Sequence, residues 1–191
     1  IDEDFSDAGG EALVIGFGRF GQVVTQSLRG RDISVTILDS DADRVREAKE
    51  FGSRIHFGDG TRREVLRAAE ADAADLIVVC VDDSDTAKDI VRLVGNKFPN
   101  AQLLVRAYDR TAAIELIHMG IEDPVRETFE SGLRMGRIAL KAAGVSDEDA
   151  AEAIADVRRR DERRLQLQVQ QTTDAGGDTL EALKKIKPEP I

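Results

Sequence analysis

The chain has 191 residues, a formal net charge of −10, and a hydrophobic share of 41% with only 4% aromatic residues. That is the size of one ordinary domain with an appendage, and Leu, Ile, Val and Ala must do its packing, as in parallel sheets covered by helices. The acidic balance argues against a nucleic-acid binder, the single Cys80 excludes an internal disulfide and fits a reducing compartment, and no run approaches the ~18–20 apolar residues of a membrane span or reads as a signal peptide.

Residues 1–10, IDEDFSDAGG, are acidic and glycine-ended, which reads as a linker into the first strand; a chain that starts at Ile1 rather than Met is expected to be a piece of something longer. The run Ala12-Leu13-Val14-Ile15 then feeds directly into Gly16-Phe17-Gly18-Arg19-Phe20-Gly21, and a helical pattern follows to Leu28. In this strand–loop–helix setting the G-x-G-x-x-G spacing has a mechanism. Gly16 permits the tight turn, Gly18 lets backbone approach a phosphate, and Gly21 lets helix pack on strand, while the helix N-terminus holds the anion. The competing reading is a close-packed turn that binds nothing.

A second strand-like run, Ser34 to Leu38, ends on Asp39, close to the spacing expected of a carboxylate that takes ribose hydroxyls. From there β-branched runs and helical stretches alternate. Strands are predicted near 12–16, 34–39, 55–57, 76–81, 102–106 and 123–127, and helices over 19–29, 41–50, 62–69, 84–97 and 110–119. The apolar runs 76–81 and 102–105 read as central strands buried on both sides. Strict alternation makes an α/β fold, a Rossmann-like doubly wound parallel sheet, over residues 11–127.

After Thr128 the alternation stops. Residues 129–143 read as a helix whose polar positions (Glu130, Ser131, Arg134, Arg137, Lys141) trace one narrow stripe. A surface helix needs only a ~100° apolar face, so this one is expected to lie between two protomers, with Gly132 and Gly136 allowing close approach. Ser146 caps a charged helix over 147–168. There Arg158, Arg159, Arg160, Arg163 and Arg164 alternate with Asp156, Asp161 and Glu162, which reads as a salt-bridged, solvated face. Residues 171–178 read as linker and 180–187 as a short terminal helix.

In a doubly wound sheet, ligands bind beyond the carboxyl ends of the strands. The candidates there are Gly16, Phe17, Gly18, Arg19, Phe20 and Gly21 after the first strand, and Asp39 and Ser40 after the second. Asp59, Gly60 and Thr61 follow the third, Asp82 and Asp83 the fourth, and Arg106 ends the fifth. Asp39 favours NAD or AMP over a 2′-phosphorylated nucleotide. Asp59 is placed to accept from an adenine amino group, with Thr61 capping the next helix. Asp82, Asp83 and Asp85 could hold a divalent cation through oxygen ligands, but helix capping at Ser84 with nucleotide contact is preferred, so no metal site is expected. Arg106 is placed to meet a phosphate or to make an internal ion pair, for instance with Glu127. Catalytic residues are absent from the pattern: His56 and His118 have no evident acid–base partner, and Tyr108 lacks a lysine four residues on. A nucleotide pocket without a reaction partner reads as a sensor rather than an enzyme.

The phrases GFGRFGQ (16–22), TILDSD (36–41), FGDGTR (57–62), VDDSDT (81–86), FPNAQLLVRAYD (98–109) and RETFESGLRMGRIAL (126–140) closely resemble the RCK or KTN regulatory domains of potassium transport, nearest to the tail of Kef-type potassium/proton antiporters. The resemblance covers residues 11–165. It implies a homodimer with a helical crossover arm, NAD(H) or AMP in the crevice, and a membrane-embedded antiporter domain upstream, which places the chain at the cytoplasmic face of a bacterial inner membrane. It also implies gating by glutathione and its adducts, with Arg19 at that site. Glu115 and Ile117 depart from the basic residues of Kef-type relatives, which ranks glutathione below nucleotide. The resulting domain reading is 1–10 linker, 11–127 nucleotide-binding domain, 128–168 dimerisation arm and 169–191 tail. The alternatives are a fragment of a soluble NAD-dependent oxidoreductase and a stand-alone Trk-type uptake subunit.

Overall fold

Short runs of β-branched and leucine residues set the frame of the computed structural model, which describes residues 4–50 and 54–174. The described residues fall into two units that divide between Arg106 and Ala107. In the first, β1 (Ala12–Ile15), β2 (Val35–Asp39), β3 (Ile55–Phe57), β4 (Leu76–Val79) and β5 (Gln102–Ala107) alternate with α1 (Arg19–Arg29), α2 (Ala42–Glu50), α3 (Arg63–Ala68) and α4 (Ser84–Lys97). The strands pair in parallel in the order β3-β2-β1-β4-β5, with Ile15 level with Leu38 on one side and Val79 on the other. This is the doubly wound order, and it reverses direction at β1.

Successive side chains of a strand point to opposite faces. Ala12, Val14, Ile37 and Val78 accordingly pack with Phe20, Val24 and Leu28 of α1 and Val45 and Ala48 of α2. Leu13, Ile15, Ile77 and Val79 turn to the other face and are equally buried, as are Val65 and Leu66 of α3 and Ile90 and Val94 of α4. The expectation that 102–105 is buried on both sides fails. Gln102 and Leu104 of β5 are exposed, the latter by 41%. Ahead of β1, Phe5 stacks on the buried His56 with ring centroids 5.2 Å apart, and the Asp4 carbonyl takes His56 Nδ1 at 2.7 Å.

The second unit holds α5 (Arg110–His118), β6 (Val125–Arg126), α6 (Glu127–Ala142) and α7 (Asp147–Asp174). Gly144, at φ +90°, turns the chain so that α6 and α7 run antiparallel, pinned by Lys141–Asp147 at 2.8 Å and Arg158–Glu130 at 2.7 Å. Ser146 Oγ accepts from the Asp149 amide and caps α7, as predicted. The helix outruns its predicted end at 168. Residues 171–174, read as linker, are its last turn, because His118 Nε2 meets the Val169 carbonyl at 3.1 Å and the Thr172 hydroxyl at 3.2 Å. Leu133 is the one buried side chain of α6; Met135 is 66% and Ile138 49% exposed. The short helix expected over 180–187 lies outside the described residues.

Candidate functional site

Beyond the carboxyl ends of β1, β2, β3 and β4 lies a cleft of about 230 Å³. Eight of the expected residues line it: Gly16 and Gly18, Asp39 and Ser40, Asp59 and Gly60, and Asp82 and Asp83. The other six expected residues, Phe17, Arg19, Phe20, Gly21, Thr61 and Arg106, are not part of the lining.

The three glycines of the loop answer different demands. Gly16 has φ +96°, and a Cβ there would meet the Val81 amide at 2.9 Å. A Cβ on Gly21 would sit 1.9 Å from the Gly16 carbonyl oxygen, so α1 could not lie where it does. Packing therefore requires both. Gly18 is different: its φ of −68° and ψ of −173° suit any residue, and nothing lies within 4 Å of a Cβ built on it. The fold does not ask for glycine here, whereas backbone approach to a ligand does. Gly18 is also the N-cap of α1, without a side-chain cap and with no acidic residue in the first turn. The first-turn amides and the positive end of a helix favour an anion, and Arg19 beside them is exposed.

Asp39 is only 4% exposed, and its carboxylate is the hub of the cleft. Oδ2 accepts from the Phe17 amide at 2.6 Å and Oδ1 from the Asp41 amide at 2.8 Å. Arg44, in the first turn of α2, lays one guanidinium nitrogen 3.0 Å from both oxygens. Burial disfavours the Arg44 charge, but Asp39, Asp41 and Asp82 outweigh it and raise its pKa. Sequence reasoning missed Arg44. The available signal was a cation in the first turn of a helix, where an anion is favoured, five residues after the ribose-type carboxylate.

The remaining carboxylates are also engaged. Asp59 Oδ1 accepts from the Thr61 amide at 2.9 Å and from its hydroxyl at 2.7 Å. Thr61 therefore closes a turn and does not cap α3, whose N-cap is Arg62, because its hydroxyl is turned back to Asp59. The cap expected of Ser84 belongs to Asp83, which accepts from the Thr86 amide at 2.7 Å. The Thr86 hydroxyl and amide hold the Asp83 carboxyl below its ordinary range. Asp82 pairs with Arg106, whose side chain is 8% exposed and lies over the Phe20 ring at 5.3 Å. Asp85 pairs with Lys88 at 2.8 Å. The acidic run is thus divided among three separate partners. Among the described residues no group of three His, Cys, Asp or Glu side chains converges for a metal ion. Cys80 also lines the cleft, and burial pushes its thiol up to about 12.

A doubly wound parallel sheet, a glycine loop at its switch point and a buried carboxylate at the end of the neighbouring strand define a Rossmann-type unit with an anion-ready cleft. Residues 12–127 match the TrkA-N domain, and the chain belongs to that family. It is 40% identical over 157 residues to a glutathione-regulated potassium-efflux system protein of Haemophilus influenzae, covering 82% of this chain and 25% of that protein. It is 37% identical over 148 residues to the glutathione-regulated potassium-efflux system protein KefC of Escherichia coli, covering 78% and 24%. The chain therefore spans about a quarter of the length of these relatives. Among solved structures, the AMP-bound Kef CTD of Shewanella denitrificans superposes with a TM-score of 0.76 at 31% identity, covering 83% of this chain and 96% of that one. Among the described residues no helix is long and apolar enough to cross a membrane.

Proposed function

We propose that this chain is the ligand-sensing regulatory part of a potassium-efflux transporter, and that it binds an adenine nucleotide, AMP or NAD(H), in the cleft at the ends of β1 to β4. The observation that carries this reading is Gly18, a glycine that neither backbone conformation nor packing requires, at the open N-terminus of α1. In this reading the phosphate lies on the α1 amides beside Arg19, the ribose on Asp39, and the adenine edge near Asp59. The membrane domain of the transporter precedes Ile1 in the full-length protein, which puts the chain at the cytoplasmic face of the inner membrane. The relatives that the chain matches are potassium-efflux system proteins, so the ligand is read as a signal. It acts by binding one arrangement of the protein better than another, and the bias cannot exceed that difference in affinity.

The protein acts as a homodimer in this reading, with the exposed Met135 and Ile138 of α6 covered by a second copy. Light scattering on the purified chain is expected to give a dimer mass, and Ile138→Glu a monomer. A monomeric parent chain would overturn the dimer.

Calorimetric titration with AMP, NAD⁺, NADH, ATP and glutathione tests the ligand. Saturable binding of AMP or NAD(H) with a silent glutathione titration is the expected result. Glutathione binding without nucleotide binding would overturn the assignment of the cleft.

A further inference from the structure

Asp39 offers four acceptor sites on its two oxygens, and contacts within the chain take all four. The Phe17 and Asp41 amides hold one each, and the Arg44 guanidinium spans the other two. A ribose that comes to Asp39 with both hydroxyls donating must therefore remove something. The two amides are fixed by the glycine loop and by the turn into α2. Arg44 is not fixed in that way: its side chain is 37% exposed, and Asp41 stands 3.3 Å from its other terminal nitrogen as a second partner.

We propose that Arg44 is the specificity-determining residue of the ribose subsite, an internal competitor that the two ribose hydroxyls displace from Asp39 onto Asp41. The inference rests on the nucleotide reading of the cleft and adds what decides its sugar selectivity. A ligand with two free hydroxyls replaces both guanidinium contacts, so the buried carboxylate loses nothing. A 2′-deoxyribose brings one hydroxyl, and the remaining acceptor keeps Arg44. Arg44 thus weakens binding of the full ribose while sparing the deoxy sugar, and so narrows the preference between them. Once Arg44 is gone, a deoxy ligand leaves an acceptor of a nearly buried carboxylate unpaired, and the preference widens.

The experiment is a cycle of calorimetric titrations with AMP and 2′-deoxy-AMP on the parent chain, Arg44→Ala and Arg44→Gln. Arg46→Ala is the control, because Arg46 lies on the same helix and pairs at 2.5 Å with the exposed Asp43. Both Arg44 variants are expected to bind AMP about threefold to fivefold more tightly, the size of a partly exposed ion pair, with 2′-deoxy-AMP unchanged or weakened. The Arg46 control is expected to leave both affinities as they were. Weaker AMP binding by the Arg44 variants would show that the guanidinium holds the ligand and would overturn the proposal, as would an unchanged ratio between the sugars. Failure of the parent chain to bind AMP at all is a separate outcome, which removes the nucleotide reading and this proposal with it. Circular dichroism of each variant establishes that it is folded.

Discussion

The Phe17 amide donates to Oδ2 of Asp39 at 2.6 Å, which ties the glycine loop after β1 to the last residue of β2. One buried carboxylate thus shapes the glycine loop and, in the proposed nucleotide reading, faces the sugar. Asp39→Asn separates these duties. An amide has one acceptor oxygen and one donor nitrogen, so its NH₂ must face either the Phe17 or the Asp41 amide. A donor facing a donor at a buried site costs about 1–3 kcal/mol. The variant is expected to melt at lower temperature and to bind AMP about tenfold more weakly, since a buried hydrogen bond to the ligand of about 1.4 kcal/mol is one decade. Unchanged AMP affinity would take Asp39 out of the ligand site.

The three loop glycines give a sharper division between fold and ligand. Gly18→Ala adds a methyl into open space on ordinary backbone. Its stability is expected within about 1 kcal/mol of the parent chain, since the helix N-cap loses a little and the unfolded chain loses freedom. Nucleotide affinity is expected to fall about tenfold or more, because the methyl occupies the approach of the phosphate. Gly21→Ala should do the reverse in kind: its methyl would sit 1.9 Å from a carbonyl oxygen, and overpacking of that order costs about 3 kcal/mol. Thermal melts and titrations of the pair check both halves. If Gly18→Ala binds AMP normally, the loop is a packing device.

Much of this was legible in the sequence because each signal was local. The short runs of β-branched and leucine residues in β1 and β2, buried along their whole length, and the Gly16–Gly21 spacing each sit within a few residues, so the sheet and the loop were placed to within one or two positions. Long-range pairing was not legible. Nothing next to Arg106 says that it will meet Asp82, 24 residues away, and nothing next to Arg44 says that its guanidinium will fill the site on Asp39. The end of α7 was misread for the same reason. QTTD has the composition of a linker, yet Thr172 is buried against His118, 54 residues earlier. Leu104 failed in the opposite sense, since an apolar run records what a strand can bury and not whether anything covers it.

Cys80 lines the cleft but is 2% exposed, and burial raises its thiol to about 12 from an ordinary 9.0. The sign follows from proton binding. Between these values the unfolded chain releases the proton and the folded chain keeps it, so this contribution is whole below about pH 9 and is lost as pH rises toward 12. The folded protein is expected to resist a thiol reagent at pH 8 and to react with one equivalent after unfolding in guanidinium chloride. Cys80→Ala should flatten the loss of stability above pH 9. Fast labelling of the native chain would show that the cleft opens to the thiol.

Asp161 of α7 accepts from Arg110 at the start of α5 and from Arg126 of β6, and it is 12% exposed. Arg126 also lies over the Phe129 ring at 4.2 Å. One carboxylate therefore bridges two guanidinium groups and offsets part of their mutual repulsion. Burial and the neighbouring Arg126 and Arg164 lower the Arg110 pKa, and Asp161 is what opposes this. Removing one partner from a buried pair leaves an uncompensated charge, at a cost of about 3–5 kcal/mol. Asp161→Ala is expected to destabilise the second unit by that order. Asp161→Asn keeps the shape without the charge and is expected to lose nearly as much. Denaturant titration of both separates the causes: if Asp161→Asn is as stable as the parent chain, hydrogen bonding and shape hold α7 in place and charge does not.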